Sequence, residues 1–484
     1  MYWRKVASLN PAVLNLHRNW SITVMEGSKM NMQCVKRLSV FEMNAQMASW
    51  QNMALERVPQ YLPGHGIPWL ASARESALGR FMLHGFPTRR EEEWKYTDVA
   101  AIGKRSSLAP DSIPPDPSSE AALLAWALAQ ENVHLMVFVN GHYSTELSAL
   151  DELPNGVRLE SLEGVLDDDA DLLELYFEQS HEHTIFAALN NALTTDGAVL
   201  TLAPESILEK PLYLLFIASG YGAASYPRNI FIAGKNSRAT IIEHYFGMRE
   251  AHNFTNAMTQ ISLDAGAELQ HCKLVQEGSA AYHVGGIHAE QAAASRFASH
   301  SFALGGRMLR NDITSRLNGK GGLCIFNGLY LLEGKQHADH HTRIDHLAPS
   351  CTSREYYRGV LDGESHGVFN GKVIVHPHAI KTDAHQSNRN LLLSGQAEID
   401  TMPQLEIFAD DVKCTHGATV GQLDDDSLFY LRSRGVDEEL ARSLLVYGFA
   451  NDIVRRVEMP NMRTRIEHLV LNRLPQGEQI KEMI

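Results

Sequence analysis

A thiol and an imidazole stand two residues apart in the stretch PQLEIFADDVKCTHGATVGQ, residues 403–422. The stretch begins as an alternating strand, with Leu405 and Ile407 set against Gln404 and Glu406. Cys414 and His416 follow just beyond it, immediately before Gly417. In extended backbone, residues two apart project to the same side, so the pair could face a metal, a cluster or simply the core. Both are ligands suited to iron–sulfur or transition-metal chemistry. Asp410 and Asp411 could add oxygen ligands or orienting partners. Two ligands cannot close a four-coordinate site, so a metal here needs ligands from another chain or a bound cluster. Val412 shares their side, as it would if the pair were a buried cysteine and a satisfied core histidine on the last coil of a fold. Spacing alone leaves both readings open.

The chain holds 23 histidines, densest in KQHADHHTRIDH, with His337, His340, His341 and His346. Their spacing could bring nitrogens onto one metal. Equally, they could be turn histidines bonded to the backbone, since no cysteine or periodic carboxylate completes a coordination shell. His376, His378 and His385 form a looser set of the same kind. The sequence has no G-x-x-x-x-G-K-[ST] phosphate loop, no G-x-G-x-x-G, no G-x-S-x-G elbow and no H-E-x-x-H. These motifs carry much of nucleotide, acyl-transfer and zinc-hydrolase chemistry, and their absence weakens most enzyme readings.

The elements that must position these residues fall into four stretches. Residues 1–46 are basic, lack an apolar core and an A-x-A cleavage signal, and read as an extension. A disordered tail, an organelle transit peptide or a start codon placed too far upstream would each produce it. Residues 47–195 read as a mixed, mainly helical region. In it, WLASARESALGRFMLHG recurs at three- and four-residue steps from a helix that starts near Met47, and Gly85 stops it. A second helix is expected over Ser119–Gln130, a hairpin around Asn140-Gly141, and helix again up to Leu193.

Residues 196–422 change texture. Short strand-like runs follow small-residue turns at Gly234, Gly266, Gly321, Gly363 and Gly395, with no helical pattern between them. Each run offers an apolar face too small to bury alone, and stacking successive units makes a continuous core. A β-helix is the expected fold. Residues 423–484 return to helix. Asp426 can cap one helix that Gly435 ends, and Asp437, Glu438 and Glu439 open another. Such an appendage can cap the open end of the stack or present a docking surface.

With 43 basic against 57 acidic residues the formal charge is −14, which disfavours nonspecific nucleic-acid or anionic-membrane binding. Five scattered cysteines without a CxxC pair argue against a disulfide framework and for a reducing compartment. The longest apolar runs fall well short of the ~20 residues that span a bilayer.

The segment 403–435 resembles the C-terminal region of the SufB/SufD family of iron–sulfur cluster assembly proteins. GFPTRREEEWKYTDV, FNGLYLLEGKQHADHHT, HAIKTDAHQSNRNLLLSGQAEIDT and ARSLLVYGFA agree with the same family. The likeness runs from about residue 60 onward, and VKCTHGATVGQLD has the SufD form, with the SufB form as runner-up. The resemblance implies a mainly β fold: a right-handed parallel β-helix core flanked by the helical regions at either end. It implies a non-catalytic scaffold subunit in a SufBCD-type complex, pairing with a SufB-like paralogue through the β-helix. A SufC-like ABC-type ATPase would dock on the helices from Asp426 to about Val457. Asp426, Leu428, Phe429, Arg432, Arg434, Leu444 and Tyr447 are the candidate contacts there. ATP hydrolysis then belongs to that separate chain. His416, with Cys414 beside it, is implied to face the paralogue as a candidate cluster ligand. No cofactor is expected on the chain alone, only a transient Fe–S cluster in the complex. The expected location is cytoplasmic, or organellar if the extension is a transit peptide, with no nucleic acid bound and no membrane insertion.

Two alternatives come from other classes. A β-solenoid enzyme acting on polysaccharide would need Asp339, Asp345 and Glu355 gathered on one lateral face. A cupin-like metal enzyme would use His337 to His346.

Overall fold

The computed structural model describes residues 62–104, 110, 119–178, 184–220, 222–248 and 252–483. The expected extension 1–46, the start of the first helix at residues 47–61, and Cys34 lie outside them.

Two ten-stranded sheets lie face to face, and successive strands alternate between them. From residue 198 onward the pairing within each sheet is parallel. The result is a parallel β-solenoid of about eight turns, with one strand of each sheet per turn. In the first sheet, Arg238, Glu268, Arg296, Leu323, Thr352, Asp383 and Lys413 stand in register on successive rungs. In the second, Phe254, Tyr282, Met308, His337, His366 and Glu398 do the same.

Alternation decides what is inside. The strand Thr352–Leu361 buries every second residue along its first half. Columns such as Ala239, Leu269, Phe297, Cys324 and Ala384 meet columns such as Ile261, Ala289, Ile344 and Val373 between the sheets. Corners are tight. Gly363 sits at φ +66°, and a Cβ there would come within 2.9–3.1 Å of the Gly334 backbone one turn earlier, so only glycine fits both the conformation and the spacing.

The glycine-marked runs seen in the sequence belong to both sheets. Gly234, Gly266 and Gly321 precede first-sheet strands, whereas Gly363 and Gly395 precede second-sheet strands. The stretch that seemed to fill a long gap, AASRFASHSFALGG, is itself the first-sheet strand Arg296–Ala303.

The outer faces are covered by helices. Pro68–His84 and Ile185–Leu193, with Trp94, pack on the second sheet at Phe254, Val284 and Met308. Ser119–Ala129 and the C-terminal helices pack on the first sheet at Cys272, Phe302, Leu329 and Val360. The expected hairpin forms from His134–Val139 and His142–Ala149, with Asn140 and Gly141 at φ +47° and +83°.

The two ends of the solenoid differ. At the N-terminal end each sheet finishes in an antiparallel strand, His142–Ala149 or Val157–Ser161. At the other end each sheet finishes in a parallel strand, Glu398–Ile407 or Lys413–Gly421, and all four terminal strands have a strand neighbour on one side only among the described residues. The C-terminal helices do not cap this end. Glu438–Val454 runs against the strands Leu323–Leu332 and Thr352–Leu361, because its apolar side is matched by Leu329, Leu331 and Val360 on the sheet's outer face. The cap of the preceding helix, Asp425–Ser433, is Asp424, not Asp426. The Asp424 side chain accepts from the Ser427 N–H at 2.9 Å. Among the described residues, no helix is long and apolar enough to cross a membrane.

Candidate functional site

Cys414 and His416 lie on the strand Lys413–Gly421, the last rung of the first sheet. Register pairs Cys414 with Ala384 and His416 with Gln386, both buried. Both side chains therefore continue columns that line the interior. One column runs Phe297, Cys324, Ser353, Ala384, Cys414, and the other Ser299, Phe326, Glu355, Gln386, His416. Because no further rung follows, the columns run out to solvent. His416 is exposed, while Cys414 is half-buried and, like Ile399, Leu405 and Val412, packs against the core. The residues face inward, at an end of the stack where no further described rung covers them.

The His416 column is polar just beneath the surface. Gln386 Nε2 donates to Glu355 Oε2 at 2.7 Å, and burial pushes the Glu355 carboxyl up to about 7. Burial likewise pushes the Cys414 thiol up, against the opposing pull of the Ala384 backbone. A metal binding here must displace that proton, because thiolate is the ligating form. The rim is mixed: Ile407, Phe408 and Val420 are exposed along with Asp410, Asp411, Lys413 and Thr415. A thiol and an imidazole on a sheet edge could serve as ligands to a soft or borderline metal, and two are too few to close a four-coordinate site.

The histidine-rich strand His337–His346 does not gather a metal site, because alternation splits it. His337 and His341 point outward, and His340 and His346 point inward and are buried. The outward pair meets the segment TRREEEWKYTDV. Thr97 Oγ1 is 2.8 Å from His337 Nε2 and donates to Asp339 Oδ2 at 2.5 Å. His341 lies 3.2 Å from Glu93 and 3.0 Å from Asp339. Arg310 bonds Asp339, Asp312 and the Glu93 carbonyl, and its guanidinium stacks 3.9 Å above Trp94. The cluster is a latch that fixes the N-terminal segment on the solenoid, and Arg310 was not visible in the sequence pattern.

The latch carries a pH signature. Burial opposes charge on His341, but Asp339 and Glu93 outweigh it and hold the imidazolium up to about 9. A raised folded value contributes stability that is complete below the unfolded value of about 6.5 and is lost as pH rises through about 9. The thermal midpoint of wild type is expected to exceed that of His341→Gln at pH 6.5, and the gap to narrow by pH 10. A gap independent of pH would show that His341 is not charged in the latch.

The carboxylates proposed for polysaccharide chemistry also fail to assemble. Asp339 is locked in the latch, Asp345 pairs with Arg343 and His376, and Glu355 points into the core. His376 bonds Asp345, His378 is exposed, and His385 bonds Thr415 on the outer face of the first sheet, so the looser histidine set forms no metal group either. Among the described residues no three His, Cys, Asp or Glu side chains are grouped to hold a metal ion.

The candidate docking residues divide. Phe429 is 73% and Tyr430 57% exposed, the second unmarked in the sequence. Asp426 is exposed beside them, Arg432 pairs with Glu438 at 3.4 Å, and Arg434 bonds Tyr430 Oη at 3.1 Å. Leu428 and Tyr447, each 8% exposed, turn inward instead. Helical period turns Leu428 about 100° away from Phe429, and the Tyr447 hydroxyl bonds Glu467. Leu444 is half-buried on the same apolar side. Leu428 and Tyr447 are core residues, not surface contacts.

A two-sheet solenoid with a latched N-terminal segment and two donor side chains on an edge strand offers a surface to another chain, and among the described residues it gathers no three-ligand metal cluster. Residues 54–214 match the SufBD protein N-terminal region, and residues 216–449 match the SufBD core domain of SUF system FeS cluster assembly. The chain is 34% identical over 410 residues to the iron–sulfur cluster assembly protein SufD of Escherichia coli, covering 83% of this chain and 92% of that protein. It is 29% identical over 412 residues to an iron–sulfur cluster assembly SufBD family protein of Synechocystis sp., covering 83% and 90%. A chloroplastic protein of Arabidopsis thaliana is 27% identical over 412 residues, covering 83% and 85%. The chain belongs to the SufBD family.

Proposed function

We propose that this chain is a non-catalytic, SufD-like scaffold subunit of an Fe–S cluster assembly complex. Its open end, Glu398–Ile407 with Lys413–Gly421, pairs with a SufB-like paralogue, and its helices Asp425–Ser433 and Glu438–Val454 dock a SufC-like ATPase that hydrolyses ATP. The observation that carries this reading is the last rung, where two interior columns end in Cys414 and His416 on an edge strand, with exposed Ile407, Phe408 and Val420 at the same end. An unpaired edge is a template for another strand, and the exposed Ile407, Phe408 and Val420 give such pairing an area to bury. The cluster is cargo: it forms transiently on ligands from both chains and is not held by this one alone. The complex works in the cytoplasm, or in an organelle if residues 1–46 act as a transit peptide, a setting that the chloroplastic relative illustrates.

Co-expression with a SufB-like paralogue and a SufC-like ATPase, followed by affinity capture of this chain, tests the reading. Wild type is expected to retain both. Phe429→Asp with Tyr430→Asp should weaken ATPase capture by roughly 30-fold, the loss of about 2 kcal/mol typical of an aromatic hot spot, and leave the paralogue bound. Capture of neither partner by wild type would end the proposal.

A further inference from the structure

A cleft of about 250 Å³ opens on the outer face of the first sheet, between its last rungs and the end of the helix Glu438–Val454. It gathers three guanidinium groups, from Arg358, Arg389 and Arg456, with the half-buried His385 and the hydroxyls of Tyr356 and Ser387. One carboxylate, Asp452, faces them. In a chain of formal charge −14 this concentration of positive charge needs a cause.

Three details show that the charges are not balanced from within. First, Arg358 and Arg389 stand in register on adjacent parallel strands, where like charges are separated by one strand spacing and repel. Second, Asp452 is already committed: Arg358 donates to it through Nε at 3.1 Å and through a terminal nitrogen at 2.6 Å, and Arg456 lies 3.7 Å away. Arg389 is exposed and has no hydrogen-bond or ion-pair partner among the described residues. Third, Arg456 is stacked 3.9 Å over the Tyr356 ring, which fixes its plane, yet its buried Nε has no acceptor. A donor held in place without an acceptor is costly unless something supplies one.

The geometry points to an oxyanion site that takes a phosphoryl group, either free inorganic phosphate or the phosphate end of a nucleotide. Arginine forks converging from two strands and a helix terminus, with an imidazole and two hydroxyls, offer more donors than one planar carboxylate can accept, and suit a tetrahedral group. The site is separate from His416 and does not depend on the role assigned to it above.

Calorimetric titration of the full chain, at matched ionic strength with chloride as the balancing anion, tests this. The probes are inorganic phosphate, ADP and a glutamate-rich peptide. Arg389→Ala removes an exposed side chain and Arg456→Ala a half-buried one, and circular dichroism confirms that each variant folds. Lys235→Ala, an exposed turn lysine elsewhere on the solenoid, is the control. Phosphate or ADP is expected to bind wild type and the Lys235 variant alike, and at least 10-fold more weakly to both arginine variants. Binding of phosphate alone identifies the free anion as ligand, and binding of ADP without phosphate identifies a nucleotide. No binding of either, binding unchanged in both arginine variants, or binding of the acidic peptide only would overturn the proposal.

Discussion

Replacing His416 by alanine is expected to leave the fold untouched and to cut Fe–S cluster loading of the co-expressed complex by roughly 10-fold or more. The first half follows from exposure: His416 ends a column at the solenoid's open edge, and exposed substitutions away from special features usually stay within about 0.5 kcal/mol. The second half follows from its proposed role, since disturbing even an outer partner of a metal ligand costs about 10- to 100-fold in affinity. Cys414→Ser should have the smaller effect, because burial already holds that thiol up and against ligation. The measurement is iron and sulfide content after anaerobic reconstitution, read beside capture of the paralogue and ATPase. Full loading in the His416 variant, with partners bound, would remove this residue from cluster chemistry while leaving the assembly role intact. Loss of loading together with loss of the paralogue would mean that the residue serves contact, not ligation.

The largest expected loss of stability comes from Arg310→Ala. Arg310 is buried, and its removal strands the buried Asp339 carboxylate, exposes a face of Trp94 and frees the Glu93 carbonyl. Breaking a buried ion pair from one side costs about 3–5 kcal/mol. The urea midpoint should fall accordingly, and amides over Glu92–Thr97 should lose exchange protection before the solenoid rungs do. Arg310→Lys keeps the charge but not the fork and should fall between the two. A midpoint unchanged in the alanine variant would show that the segment is held by its apolar contacts alone.

Much of the site was legible in the sequence because it depends on short-range rules. Cys414 and His416 share a face by the period of extended chain, and the strand does place them so. The loose glycine series announced stacked units, but not that they belong to two sheets. Gly234 and Gly266 are one turn apart in one sheet and Gly363 and Gly395 one turn apart in the other; between them, Gly266 to Gly321 skips the rung Arg296–Ala303, and Gly321 to Gly363 passes from one sheet to the other. The histidine cluster misled because one-dimensional density ignores alternation, which sends His340 and His346 inward and His337 and His341 outward.

What could not be read were contacts closed by the solenoid over long separations. Thr97 meets Asp339 across 242 positions, and Glu93 meets Arg310 across 217. The arginine cleft is drawn from two strands and a distant helix in the same way. The C-terminal helices were expected as a lid or a dock from their amphipathic pattern. Their flank position is set by an apolar outer face on the first sheet that only register reveals.

The two tips of the solenoid are edges of different make. One ends in strands parallel to the rungs beneath them, the other in strands that run antiparallel and touch the helices Ser119–Ala129 and Leu162–Asp168. A strand added to either tip meets a different hydrogen-bonding direction, so the tips are not interchangeable as templates.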